Sequence, residues 1–298
     1  MKSCDKLPCY GTGVEWAFEL EEVLHDNLHR FSCFELIPEN FFRQGERFLK
    51  QLSDIGTPAI IHGVELSFGT AEPIKREHFD NIKKVADQVN TVMISEHLSM
   101  TEAGGVEIGQ LTPLNWNTET ADIVARKVNQ IQKELDVPFA IENVTNRFMV
   151  PNTELTETQF INKIIEKTGC GLQLDLNNID TNGYNYGFDP YQWLEEINLD
   201  AVVSIHLAGG IFDDEGTLLD SHSAPVRERV WELYRYVCDR VTPSSTIVEW
   251  TDDVPTIDGL EAESKRAEEI LFAGVKNRPY HAAAIAHLPQ SQATEVRV

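Results

Sequence analysis

Ala201-Val-Val-Ser-Ile-His206 is a short, nearly unbroken apolar run that stops on an imidazole. The pattern recurs along the chain. Ala59 to Ile61 stops on His62, Thr91 to Ser95 on Glu96 and His97, and Phe139 to Ile141 on Glu142 and Asn143. Gly171 to Leu174 stops on Asp175, and Thr246 to Val248 on Glu249. Runs of this length without polar alternation are the mark of parallel strands buried on both faces. In a parallel (β/α) barrel the active site lies at the C-terminal ends of the strands. Metal-binding residues repeated at those ends therefore predict one site fed by many strands.

Outward from these runs, strands are expected over Gly13 to Phe18, Cys33 to Ile37, Ala59 to His62, Val92 to Glu96, Phe139 to Glu142, Leu172 to Asp175, Val202 to His206 and Thr246 to Glu249. Amphipathic helices are expected between them, over His78 to Val89, Thr118 to Leu135, Thr156 to Thr168, Tyr191 to Ile197, Val226 to Val241 and Gly259 to Val275. Within the second of these, Ile123, Val124, Val128, Ile131 and Leu135 recur at helical spacing. Strands alternating with helices in a chain of this length predict an α/β fold, a (β/α)8 TIM barrel, over an open doubly wound sheet. No glycine-rich phosphate fingerprint follows the first strand, which speaks against dinucleotide binding. No repeat or linker divides the sequence. One barrel domain over residues 1–276 is the simplest reading, with 277–298 as a C-terminal tail. His281 and His287 in that tail are six apart and fall on different helix faces.

The chain has 298 residues, 42% of them hydrophobic, and a formal net charge of -23. Phosphate contact needs a basic footprint, so nucleic acid is not an expected partner, and neither is an anionic membrane surface. No apolar stretch is long enough to span a bilayer, and Met1 to Gly13 lacks the apolar core of a secretory signal, so the expected compartment is the cytoplasm. Cys4, Cys9, Cys33, Cys170 and Cys238 are odd in number and scattered, which suits reduced thiols.

Residues two apart on a strand share a face, so Asp175 and Asn177 can both look into a barrel mouth. Asp220 and His222 repeat that spacing in the loop expected after the seventh strand. The inward set is then His62, His97, Glu142, Asp175, Asn177, His206, Asp220, His222 and Glu249. Taken singly, His62 reads as a satisfied core histidine, and Glu142 as a carboxylate paired with Arg147. Asp213, Asp214 and Glu215 read as a solvated loop. Together, four imidazoles, four carboxylates and an amide exceed what one ion needs, which suggests two or three ions bridged by Glu142 or Glu249. Buried charge on this scale must be neutralised. A nitrogen and oxygen set without thiolate suits iron or manganese, with zinc as competitor.

Seven ordered motifs carry a resemblance. They are His62-Gly63-Val64, Ser95-Glu96-His97-Leu98-Ser99, Ile141-Glu142-Asn143, Leu174-Asp175-Leu176-Asn177-Asn178, Ile205-His206-Leu207-Ala208-Gly209, Asp220-Ser221-His222-Ser223-Ala224-Pro225-Val226 and Val248-Glu249-Trp250. Across Gly13 to Asp253 the chain resembles the multinuclear non-haem iron-dependent oxidative enzymes. That family has a xylose-isomerase-like barrel and includes the iron oxidase subunit of methanobactin biosynthesis and the thiaglutamate-biosynthesis enzyme. Glu39-Asn40-Phe41-Phe42 also matches the family's early Glu-Asn-aromatic element.

The resemblance implies two or three iron ions held by the nine residues above, with Asp175, His206 and Glu249 as catalytic residues. It implies dioxygen as co-substrate and oxidation of a residue, cysteine foremost, of a ribosomally made precursor peptide. A small leader-binding partner protein, forming a heterodimer, is implied as well. Two segments depart from the family pattern. Ile179-Asp180-Thr181-Asn182-Gly183-Tyr184-Asn185-Tyr186 replaces a Val-Tyr followed by an Asn-His pair, and Gly13-Val14-Glu15-Trp16 replaces a Gly-Leu-Arg type strand. Both should line the substrate side, so Asp180, Tyr184 and Tyr186 are the candidate substrate-binding residues. A divalent-metal sugar isomerase or a metal-dependent phosphodiesterase on the same barrel remains open, as does a non-catalytic metal-binding subunit. The isomerase would need a lysine or histidine placed for ring opening and hydride shift beside two metals, and no lysine stands at a strand end; the charge disfavours a DNA partner.

Overall fold

Eight parallel strands close into one barrel in the computed structural model, which describes residues 7–277. In chain order the strands are β1 (Gly11–Glu15), β2 (Cys33–Leu36), β3 (Ala59–Gly63), β4 (Met93–His97), β5 (Met100–Ala103), β6 (Val106–Thr112), β7 (Phe139–Glu142), β8 (Gly171–Asp175), β9 (Val202–Leu207), β10 (Ile211–Phe212), β11 (Leu218–Leu219) and β12 (Ser245–Val248). The barrel order is β1-β12-β9-β8-β7-β4-β3-β2, and β5-β6 and β10-β11 form separate two-stranded hairpins. All eight expected barrel strands are present, with ends shifted by a few residues. The two hairpins are additions, and each follows the C-terminal end of a barrel strand.

The helices are α1 (Glu21–His25), α2 (Glu46–Ile55), α3 (Arg76–Gln88), α4 (Thr118–Gln132), α5 (Glu157–Thr168), α6 (Leu176–Tyr186), α7 (Pro190–Glu196), α8 (Glu228–Cys238) and α9 (Ile257–Asn277). Local chemistry sets several starts. The Asn117 side chain accepts from Thr120 N to cap α4, and Thr156 with Gln159 forms a capping box on α5, which ends at left-handed Gly169. Helix α6 is the one whose composition hides it. Its sequence, Leu-Asn-Asn-Ile-Asp-Thr-Asn-Gly-Tyr-Asn-Tyr, is poor in helix formers, yet Leu176 to Gly183 are buried throughout. Tertiary burial and the Asp175 cap, which accepts from Asn178 N at 2.7 Å, override the propensity.

The described residues group into two compact units. Leu36–Gln173 with Glu195–Ala201 form the first, around β3, β4 and β7. Residues 7–35, Leu174–Leu194 and 202–277 form the second, around β1, β9 and β12. Each has its own apolar core. Phe48, Phe68, Phe139 and Phe160 are fully buried in the first, and Trp16, Phe34, Trp231 and Tyr234 in the second. Cys9, Cys33, Cys170 and Cys238 are buried. Cys4 and the tail histidines His281 and His287 lie outside the described residues. No helix among the described residues is long and apolar enough to cross a membrane.

In the first unit, Lys127 on α4 reaches across to the loop after β3, where its ammonium donates to Ser67 O at 3.1 Å and Thr70 O at 2.7 Å. Burial pulls its pKa down from 10.5 to about 8. Below that value the folded state carries the full cost of a buried ammonium. Between the folded and unfolded values the unfolded chain binds the extra proton, so stability should climb as pH rises through that window. Urea midpoints measured on either side of the window should show the climb in the native chain and a flatter response in Lys127→Met.

Candidate metal centre

Register decides which side chains meet. In a parallel pair, registered residues face the same side of the sheet, and residues two apart on one strand share it. In the first unit His62 is registered with Ser95, His97 with Glu142, and Glu142 with Gln173. Their side chains converge on the barrel interior. His62 Nε2 lies 2.8 Å from Glu142 Oε2, His97 Nε2 lies 3.5 Å from the same oxygen, and the two Nε2 atoms are 3.3 Å apart. One ligand atom from each of the three residues falls within 4.8 Å of the others, as a single ion requires.

The far side of each ring fixes its tautomer. His97 Nδ1 sits 3.0 Å from the carbonyl oxygen of Gly63, a pure acceptor, so Nδ1 carries the proton and Nε2 presents its lone pair. His62 Nδ1 sits 2.9 Å from the Ser95 hydroxyl and 3.0 Å from the Gln173 amide nitrogen, a pure donor, so Nδ1 accepts and Nε2 carries its proton toward Glu142 and His97. His62 Nε2 thus donates to the His97 Nε2 lone pair at 3.3 Å, and a cation bound by both rings would take the place of that proton. Glu142 pairs with these two imidazoles, which replaces the Arg147 pairing expected if it stood alone. Glu96 has the opposite parity and stays out of the cluster. It accepts from Leu66 N at 3.3 Å and His97 N at 3.2 Å. Burial, reinforced by Glu39, pushes its pKa well above the usual carboxylate range.

The second unit holds the larger set. His206 is fully buried, with Glu35 Oε1 2.8 Å from Nε2 and Glu249 Oε1 3.0 Å from Nδ1. Asp175 Oδ2 is 3.9 Å from the same Nδ1. Carboxylates thus flank both ring nitrogens, Glu35 at Nε2 and Glu249 with Asp175 at Nδ1, a setting in which metal-bound histidines are commonly found. Asp220 Oδ1 accepts from Asn177 Nδ2 at 2.7 Å and lies 2.7 Å from His222 Nε2, with Glu249 Oε2 at 3.9 Å from that nitrogen. His222 adopts a left-handed backbone, φ 48°, uncommon outside glycine and asparagine. Burial alone would lower the His222 pKa, but Asp220, Glu249 and Asp175 together outweigh it and hold the ring well above its usual value.

Two corrections follow. Asn177 does not share a strand face with Asp175, because β8 ends at Asp175 and Asn177 lies in the first turn of α6. It reaches Asp220 from the helix, not by strand parity with Asp175. Sequence reading also passed over Glu15 and Glu35. Both are buried at the C-terminal ends of β1 and β2 and registered with each other. The expected first strand ran on to Phe18, which hid Glu15 as an interior residue, and Glu35 lay inside its run instead of terminating it. Inward parity counted back from each true strand end would have found both.

The candidate substrate residues divide. Asp180 is buried and bound to Arg227 Nη1 at 2.7 Å, and burial raises its pKa. Tyr184 and Tyr186 are exposed, and the Tyr184 ring packs edge-on against Phe212 at 5.1 Å. Asp213 accepts from Glu215 N and Thr217 N, a turn of the β10-β11 hairpin, as befits a solvated loop.

The donor chemistry fits a divalent transition metal. Every candidate donor is nitrogen or oxygen, His97 turns its Nε2 lone pair inward, and carboxylates outnumber imidazoles. In the second unit Glu15, Glu35, Asp175, Asp220 and Glu249 accompany His206 and His222, so negative charge remains even with both rings protonated. Buried charge of this kind costs several kcal/mol per uncompensated ion, on the order of what a bound cation offsets.

Comparison with known proteins matches residues 11–272 to the family model described as RiPP precursor modification enzyme MbnB/TglH/ChrH. A UPF0276 protein of Acaryochloris marina (strain MBIC 11017) is 35% identical over 214 residues, covering 72% of this chain and 77% of its own. One from Vibrio vulnificus (strain YJ016) is 33% identical over 267 residues, covering 86% and 92%. Among solved structures, D-psicose 3-epimerase with D-tagatose from Clostridium cellulolyticum H10 superposes with a TM-score of 0.55 at 11% identity, over 89% of this chain and 96% of that one. A xylose isomerase domain protein from Planctomyces limnophilus gives 0.54 at 12% identity, over 90% and 98%. At these identities the structural likeness is one of fold.

Proposed function

Because this chain belongs to the RiPP precursor modification enzyme MbnB/TglH/ChrH family, we propose that it is a multi-iron, dioxygen-using oxidase that modifies a residue, cysteine foremost, of a ribosomally synthesised precursor peptide. The observation that carries the metal part of this reading is the buried excess of carboxylates around His206 and His222. His62, His97 and Glu142 would hold one ion. Asp175, Asn177, His206, Asp220, His222 and Glu249 would hold one or two more. Iron bound there supplies dioxygen activation and Lewis acidity.

The chain's own residues supply orientation and charge. Gly63 O sets which nitrogen of His97 faces the site, and Glu35 brings negative charge to His206 Nε2. Asp175 holds its place as both strand terminus and helix cap. Asp175, His206 and Glu249 are assigned as the catalytic residues, since they surround one ring nitrogen at the strand ends. Tyr184 and Tyr186, exposed near the C-terminal end of α6, and Asp180 beneath them are assigned to the peptide-binding side. A small leader-binding protein as partner, and the cytoplasm as compartment, complete the reading.

Anaerobically purified protein should carry two or three irons per chain and absorb visible light. It should consume oxygen only when the precursor peptide encoded beside it is present, with a matching change in peptide mass. A colourless zinc or magnesium protein that leaves the peptide unchanged would overturn the proposal.

A further inference from the structure

Glu15 belongs to no assigned site, yet it stands where a ligand would. It ends β1, is 4% exposed, and its carboxylate lies within 4.8 Å of ligand atoms of both His222 and Glu249. Register explains the convergence. β1 runs parallel to β12 with Val14 beside Val248, so the next residues along, Glu15 and Glu249, emerge side by side at the same end. His222 Nε2 already sits 2.7 Å from Asp220 and 3.9 Å from Glu249. Glu15 brings a third carboxylate to that ring.

A second observation points to a cation at the same place. Asn177 is fully buried and donates through Nδ2 to Asp220 Oδ1, while its Oδ1 has no hydrogen-bond partner. A buried amide oxygen normally finds a donor, and one left unpartnered on the side chain that holds Asp220 is a ready ligand for a metal. We propose that Glu15, together with Asn177, Asp220, His222 and Glu249, forms a distinct oxygen-rich cation position. Glu15 is its unassigned ligand. Four oxygen-bearing groups and one imidazole suit a hard divalent ion such as Mn2+ or Fe2+, in contrast to the two-imidazole set of His62, His97 and Glu142. The inference rests on the metal reading of the site given above.

The test is Mn2+ binding to metal-free protein, followed by the loss of the free-ion EPR signal, in the native chain and in Glu15→Gln. The variant should lose one equivalent of Mn2+, or bind that equivalent at least tenfold more weakly, with the remaining equivalents unchanged. The metal-free variant should also melt no lower than the native chain, because a negative charge has left an anionic cluster. A residue with a merely structural role would lower the melting temperature and leave the stoichiometry alone. Equal stoichiometry and affinity in the two proteins would overturn the role of Glu15 and leave the proposed function standing. Failure of the native chain to bind Mn2+ or Fe2+ at all would overturn both. Should the variant not fold, Mn2+-soaked crystals of the native protein decide the matter. An anomalous peak within about 2.6 Å of the Glu15 carboxylate supports the site, and a peak pattern that leaves Glu15 without one overturns it.

Discussion

Glu249→Ala is expected to empty most of the second unit's metal set and abolish peptide oxidation. Among the described residues, Glu249 stands in both the His206 and the His222 groups: Oε1 lies 3.0 Å from His206 Nδ1, and Oε2 faces His222 at 3.9 Å. Losing an outer partner of a metal ligand costs about 10- to 100-fold in affinity or activity, and losing a shared ligand should exceed that. The signature separates this role from a packing role. Alanine leaves a small void, but it also removes a buried negative charge, so the metal-free variant should lose little stability. The loss should appear in the holo protein, because ligand binding stabilises the folded state by about 2.7 kcal/mol when the ligand is at a hundredfold its Kd. Iron content and melting temperature, each with and without metal, measure this. Full iron content together with undiminished peptide oxidation would overturn the assignment.

Gly209→Ala should be the most destabilising single-methyl change at the rim, and it should damage the metal set without touching a ligand. A Cβ at residue 209 would stand 2.0 Å from Ala224 O and 2.4 Å from Pro225 O, both backbone atoms that no rotamer change can move. The segment after β9 is thereby pressed against the stretch that begins at His222. Relief requires residues 222–225 to shift, and His222 already holds a left-handed backbone. Overpacking of this kind costs about 1–3 kcal/mol and more where backbone must move. At roughly 2–4 °C per kcal/mol, a 3 kcal/mol loss lowers the melting temperature by about 6–12 °C. The variant should also bind the His222 metal equivalent more weakly, while the His62, His97 and Glu142 equivalent is retained. A variant that melts like the native chain would show that the loop yields freely.

Burial of charge organises the second unit, and it explains why the residues there are hard to read singly. Asp175 caps α6, faces His206 and ends β8. A helix as polar as α6 persists because Asn177, Asn178, Thr181 and Asn182 are buried, while the half-buried Asn185 pairs its amide with both backbone groups of Leu218 and pins the β10-β11 hairpin to the helix. None of this is visible in the local propensity of Leu176 to Tyr186.

What the sequence alone determined is the set of barrel strands and the polar residue at or near the end of most of them. An apolar run of a given length, and the residue that stops it, are properties of adjacent positions, and the burial of both faces of a parallel strand imposes them directly. Hence His62, His97, Glu142, Asp175, His206 and Glu249 were legible without coordinates. Tertiary structure alone decided that Glu15 and Glu35 stand beside these residues, that Asn177 arrives from a helix, and which nitrogen of His97 faces Glu142. Each of these depends on register between segments distant along the chain, such as Glu15 beside Glu35, or on a backing atom such as Gly63 O. A one-residue change of register turns a side chain to the other face, so these outcomes become definite only when the strands pair.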